Sequence, residues 1–148
     1  MITYIKVRGQ WKHLYRAVDK YGDTVDFLLT SKRDKAAALR FLRRAIDNNG
    51  APVKVTIDRG GANAAALVAY NAESSQPIEA RQCRYLNNVV EQDHRFVKQK
   101  VRAALGLKTF RTARATIMGI ELVRMIRKGQ VRPLANGSSA QQFYALAA

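Results

Sequence analysis

The feature that most restricts the fold is a strand-like run that halts on a carboxylate and gives way at once to a helix. Val53-Lys54-Val55-Thr56-Ile57-Asp58 is rich in β-branched residues, Arg59-Gly60-Gly61 interrupts it, and Ala62 to Asn71 reads as an alanine-rich helix. A second short strand, Glu79-Ala80-Arg81-Gln82-Cys83, follows. Two strands joined through a helix run in the same direction, with the helix covering one face of their sheet. The chain is therefore expected to be α/β, with some parallel pairing.

The flanking segments extend this pattern. Thr3 to Val7, Trp11 to Val18 and Thr24 to Leu29 have strand composition. Gly9-Gln10 and Asp19 to Asp23 supply turns between them, which predicts three antiparallel strands. Ser31 and Asp34 form a capping-box pattern ahead of a helix whose apolar stripe is Ala38, Leu39, Leu42, Ala45 and Ile46, with Asn48-Asn49-Gly50 as its stop. A long helix is expected from Asn87 or Asn88 to about Leu105. Leu107 to Arg111 is a basic connector, and a last helix runs from Thr112 to about Lys128. That helix places Met118, Leu122, Met125 and Ile126 on one face and Arg114, Glu121, Arg124 and Lys128 on another. The order β-β-β-α-β-α-β-α-α describes a mixed sheet flanked by helices over residues 1–130, with a flexible tail over 131–148.

Charge narrows the function. The 148 residues carry a net charge of +15, and residues 81–132 oppose 13 basic side chains with only Glu91, Asp93 and Glu121. Such a field draws in nucleic acid, and neutralising ~6–10 phosphates makes affinity fall ~10³–10⁵-fold between 50 and 200 mM salt. A single cysteine, Cys83, excludes a disulfide framework or a cysteine zinc site. No apolar run approaches the ~20 residues of a membrane span, and the first residues lack a signal peptide's apolar block, so a soluble intracellular, cytoplasmic protein is expected.

Two carboxylates stand where chemistry is possible. Asp58 closes a strand at its C-terminal end, where ligands gather in open α/β sheets, and Glu91 lies in the first turn of the long helix. Carboxylates from different elements can hold Mg²⁺ or Mn²⁺, and a metal pair ~3.5–4 Å apart activates an attacking oxygen while stabilising the leaving one. Each also has a structural reading: Asp58 as a turn residue before two glycines, and Glu91 as the last member of an Asn88-x-x-Glu91 capping box. Glu91, Arg95, Lys98 and Arg102 share one helical stripe, beside an apolar stripe of Val90, Val97, Val101 and Ala104. His94 is either a phosphate or metal-oxygen contact or a supporting surface residue, and His13 reads as structural. Trp11 and Tyr15 are candidates for base stacking or for core. No Ser/His/Asp set and no Gly-rich phosphate loop occurs.

Three blocks carry a resemblance: Val55-Thr56-Ile57-Asp58-Arg59-Gly60-Gly61-Ala62-Asn63, Arg81 through Asn87-Asn88-Val89-Val90-Glu91-Gln92-Asp93-His94-Arg95, and Arg111-Thr112-Ala113-Arg114 through Met125-Ile126-Arg127-Lys128-Gly129-Gln130. Over about residues 3–130 they resemble DDE transposases of bacterial insertion sequences, closest to the insertion-sequence-six family. The resemblance implies an integrase catalytic core of ribonuclease H-like fold and two-metal phosphoryl transfer on the ends of a mobile DNA element. Asp58 then matches the second catalytic carboxylate and Glu91 the third, both binding Mg²⁺ or Mn²⁺. Arg95, Lys98, Arg102, Lys108, Arg111 and Arg114 would meet DNA, and the active form would be a homo-oligomer. The family's first catalytic Asp opens an Asp-Glu-Thr-Tyr motif that here reads Met1-Ile2-Thr3-Tyr4, so Met1 takes its place, and the family's N-terminal helix-turn-helix is missing. Asp19 is the nearest alternative carboxylate, with a turn role as its other reading. Two expectations follow: a strand-transferring catalytic core, or a truncated remnant that binds DNA non-specifically or pairs with intact transposase.

Overall fold

A computed structural model of the chain describes residues 2–83, 88–104, 106–131 and 141. Its elements follow the expected order: β1 (Ile2–Val7), β2 (Gln10–Val18), β3 (Thr24–Thr30), α1 (Lys35–Asn49), β4 (Lys54–Ile57), α2 (Gly61–Glu73), β5 (Glu79–Gln82), α3 (Asn88–Ala103) and α4 (Phe110–Arg127). The tail expected over 131–148 lies almost wholly outside the described residues, as do Met1, Arg84 to Asn87 and Leu105.

β1, β2 and β3 form an antiparallel meander in which Tyr15 stands opposite Ile2 on one side and Leu28 on the other. β4 and β5 pair in parallel, from Lys54 with Glu79 to Ile57 with Gln82, the geometry that a helical crossover imposes. Among the described residues the antiparallel and parallel pairings are divided between two sheets.

Strand alternation sorts the core. Ile5, Val7, Leu14 and Leu29 point to one face, where Val97 of α3 and Ala113 and Ile117 of α4 cover them. Ile2 and Tyr15 point to the other, against Ala37, Ala38 and Phe41 of α1 and Ala66 of α2. The antiparallel sheet is thus sandwiched between two helix pairs. Each fully buried aliphatic side chain, such as Val97 or Ile117, contributes about 1.5–3 kcal/mol.

Several local expectations shift. The first hairpin turns at Arg8-Gly9, and Gln10 already belongs to β2. Asp34, not Ser31, caps α1, its carboxylate accepting the Ala37 N–H at 2.8 Å. α4 begins at Phe110, two residues before the expected Thr112, because Thr109 and Thr112 form a reciprocal capping box. The buried stripe of α1 includes Phe41.

The largest departure is Glu121, expected on a polar face and found completely buried, while Met118 from the expected apolar face is exposed. The cause is on another element. Arg16 of β2 donates from Nε to Glu121 Oε1 at 2.6 Å and from Nη2 to Oε2 at 3.0 Å, with both side chains at 0% exposure. This bidentate pair fastens α4 to the middle strand, and it is the partner that makes a buried carboxylate tolerable.

Candidate functional site

Asp58 follows β4 directly and is half-buried. Its Oδ1 accepts the Gly60 N–H at 3.2 Å and the Asn63 side-chain amide at 2.9 Å. Both donors belong to the start of α2, Gly60 as its N-cap and Asn63 in its first turn, where the helix dipole favours negative charge. Among the described residues Oδ2 has no hydrogen-bond partner, so one oxygen is anchored and the other is on offer. An oxygen donor oriented by outer hydrogen bonds and open at its second atom fits a hard cation such as Mg²⁺ or Mn²⁺. Gly60 lets these groups approach closely: a Cβ there would lie 3.0 Å from Asp58 Oδ1 and 3.0 Å from Arg33 Nη2, and those side chains would have to give way.

That approach brings in Arg33, which no sequence pattern singled out. The Arg33 guanidinium sits over the Tyr4 ring at 5.6 Å and donates to the Tyr4 hydroxyl. Tyr15, 1% exposed, packs against Phe41, and its buried hydroxyl has no hydrogen-bond partner among the described residues. Burial chiefly, and then the Asp34 and Asp58 carboxylates, raise its pKa, so the phenol stays protonated. Asp58 therefore approaches the start of β1 from the α1–α2 side, since Tyr15 is paired with Ile2.

α3 reaches the same strand end from the opposite side. The buried Thr3 hydroxyl meets His94 Nδ1 at 2.6 Å. Burial first, then the positive charges of Arg16 and Lys98, lower the His94 pKa to about 4, so the ring is neutral at physiological pH. His94 thus takes the supporting role rather than that of a cation, pinning the first half of α3 to β1. Glu91 lies one turn earlier in α3, and its side chain is outside the described residues. Among the described residues no three His, Cys, Asp or Glu side chains converge on a metal position.

The remaining candidates separate cleanly. Asp19 is a turn residue, its Oδ1 accepting the Tyr21 and Asp23 N–H groups at 2.8 and 2.9 Å. Tyr15 is core, whereas Trp11 is 59% exposed. His13 stacks edge-on against Tyr4. Arg95, Lys98 and Arg102 of α3, Lys108 of the connector, and Arg111 and Arg114 of α4 are all exposed. Among the described residues no helix is long and apolar enough to cross a membrane.

Comparisons with known proteins agree with this architecture. The family model described as "DDE domain" matches residues 2–130. The chain is 37% identical over 134 residues to the transposase for insertion sequence-like element IS431mec of Staphylococcus aureus strain Mu50, covering 89% of this chain and 58% of that protein. The transposase for insertion sequence element IS257 in transposon Tn4003 of Staphylococcus aureus matches with the same identity and coverage. The chain thus spans a little over half the length of these curated relatives. Among solved structures, a chain of the simian T-cell lymphotropic virus intasome in complex with PP2A regulatory subunit B56 gamma superposes with a TM-score of 0.63 at 16% identity, covering 83% of this chain and 45% of that one. That likeness is one of fold, and it makes the architecture ribonuclease H-like, of the integrase type. With the family match running from β1 through the end of α4, the chain belongs to the DDE-domain family of insertion-sequence transposases.

Proposed function

We propose that this chain is the catalytic core of a transposase that cleaves and joins DNA strands at the ends of a mobile element. The observation that supports it is the Asp58 carboxylate, held by Gly60 and Asn63 at the end of β4 with Oδ2 open. Asp58 and Glu91 hold Mg²⁺ or Mn²⁺; when bound, these ions supply the positive charge that favours attack of an oxygen on phosphorus. In the reaction a water or 3′-hydroxyl oxygen forms a bond to phosphorus and gives up its proton to solvent, and the bond to the leaving 3′-oxygen breaks as that oxygen takes up a proton from solvent. Asn63 and Gly60 keep Asp58 in one orientation, and His94 holds α3, with Glu91, against the start of β1. Arg33 supplies a cation beside Asp58 for a phosphate oxygen. Arg95, Lys98, Arg102, Lys108, Arg111 and Arg114 track the duplex backbone through a homo-oligomer working on the nucleoid in the cytoplasm.

The test is metal-dependent nicking of supercoiled DNA and joining of element ends. Wild-type activity with Mg²⁺ or Mn²⁺ that disappears in Asp58→Asn and in Glu91→Gln supports the proposal. A second reading, DNA binding without cleavage, is favoured by Met1 at the position where the family motif carries its first Asp. Intact, salt-sensitive binding with no nicking under any divalent metal selects that reading over the first.

A further inference from the structure

The tip of the β1–β2 hairpin meets the α3–α4 connector in a basic cavity that lies open to solvent, at the other end of β1 from Asp58. A parallel bridge joins Val7 to Leu107, and the Arg8 N–H donates to the Leu107 carbonyl at 2.7 Å. Around this junction Lys6, Arg8, Lys108 and Thr109, with Gly9 and Gly106, line a space of about 590 Å³. Three of these residues are cations and none is an acid. Lys6 lies over the exposed Trp11 ring at 5.6 Å, and among the described residues neither Arg8 nor Lys108 has a carboxylate partner. Three exposed positive charges around one space give it a field that draws in an anion. Thr109 also caps α4, so the positive end of that helix opens on the same cavity.

The backbone supplies a second, independent indication. Arg8 has φ +47° and Gly9 φ +77°, the pair of left-handed conformations that a two-residue hairpin turn of the primed type requires. Asn or Gly is the ordinary residue at the first of those positions. Arg8 is the single non-glycine residue with positive φ among the described residues. Arg8 thus puts a guanidinium at the hairpin tip, where Asn or Gly is the ordinary residue, beside Lys6 and Lys108.

We infer that this cavity is a binding site for the phosphodiester backbone of DNA, separate from the carboxylate site. The inference rests on the reading of the chain as DNA-acting. β1 spans the gap from the carboxylate end to the hairpin tip, six residues and so roughly 20 Å at ~3.3 Å per residue. A duplex covers that in roughly six base pairs at ~3.4 Å per pair, so one DNA molecule lies along both sites. Trp11, the only tryptophan, stands beside the cavity and reports its occupancy.

The experiment titrates the full chain with a short mixed-sequence duplex, without divalent metal, following Trp11 fluorescence and affinity between about 50 and 200 mM salt. Each phosphate contact contributes ~0.9 to the salt slope, so Lys6→Ala/Arg8→Asn/Lys108→Ala lowers the slope by about 2–3 and removes the fluorescence response. Lys20→Ala/Lys35→Ala/Arg40→Ala, which deletes three exposed cations elsewhere, retains the response. Arg8→Asn alone weakens binding about eightfold at 0.1 M salt while raising the melting temperature, because Asn accepts the left-handed turn. An unchanged slope and response in the triple variant, with wild-type binding intact, overturns the cavity and leaves the DNA-acting reading standing. A wild-type chain that binds no duplex at any salt overturns both.

Discussion

Replacing Glu121 by leucine tests whether a buried ion pair is what seats α4 on the sheet. The carboxylate accepts two hydrogen bonds from Arg16, at 2.6 and 3.0 Å, and both side chains are fully buried. Leucine nearly matches glutamate in volume, so the change deletes charge rather than opening a cavity. It takes from the buried Arg16 guanidinium the carboxylate that accepts both of these bonds, and breaking a buried pair costs about 3–5 kcal/mol. With a urea dependence near 2 kcal/mol/M, the unfolding midpoint falls by about 1.5–2.5 M. The melting temperature falls by roughly 6–20 °C at ~2–4 °C per kcal/mol. Arg16→Met combined with Glu121→Leu replaces both charges with apolar groups and restores most of the loss, since a well-packed hydrophobic pair is about as stable as a buried ion pair. Urea unfolding monitored by circular dichroism, on the wild type, both single variants and the double, completes the cycle. A Glu121→Leu loss under about 1 kcal/mol, or a double variant whose loss equals the sum of the singles, refutes the reasoning.

Other perturbations reach the site and the local structure. Asn63→Ala removes the amide that orients Asp58 and is expected to weaken Mn²⁺ binding about 10–100-fold by calorimetry, with the melting temperature nearly unchanged. Gly60→Ala pushes a methyl into the space between Arg33 and Asp58 and lowers metal affinity without any backbone cost, because φ there is −66°. The His94 pKa falls from 6.5 to about 4 on folding, so the unfolded chain binds the proton more readily. Stability is then fully present above about pH 6.5 and declines as pH drops towards 4, and His94→Gln flattens that part of the pH–stability profile. Asp34→Ala deletes the cap of α1 and should cost about 1 kcal/mol in thermal unfolding, whereas Ser31→Ala leaves stability unchanged.

The site was partly legible in the chain. Asp58 stood out because a strand ended on it before two glycines, and the glycines proved to matter through the close approach at Gly60. Asn63, five residues on, is within the same turn-and-helix start, so a local pattern contains it. Arg33 was invisible, since it comes to the Gly60–Asp58 corner from the loop before α1, and Tyr4, seen only as the end of the Met1-Ile2-Thr3-Tyr4 block, meets Arg33 from β1. Tyr15 was identified as a core candidate, yet nothing in its spacing showed a hydroxyl buried beside two carboxylates.

Local chemistry alone determined the order of strands and helices, the stop at Gly50, the parallel pairing of β4 with β5 and the basic face of α3. Each depends on side-chain periodicity, turn residues or chain direction, which act over a few residues. Tertiary structure decided which polar residues are interior. Glu121 is buried because Arg16, 105 residues away in sequence, stands opposite it, and His94 is neutral because the sheet shields it beside Arg16. Tertiary structure also decided that the hairpin tip meets the α3–α4 connector, gathering Lys6, Arg8 and Lys108 around one space. Burial and charge pairing depend on through-space distance in a low-dielectric interior, and hydropathy along a chain carries no record of that distance.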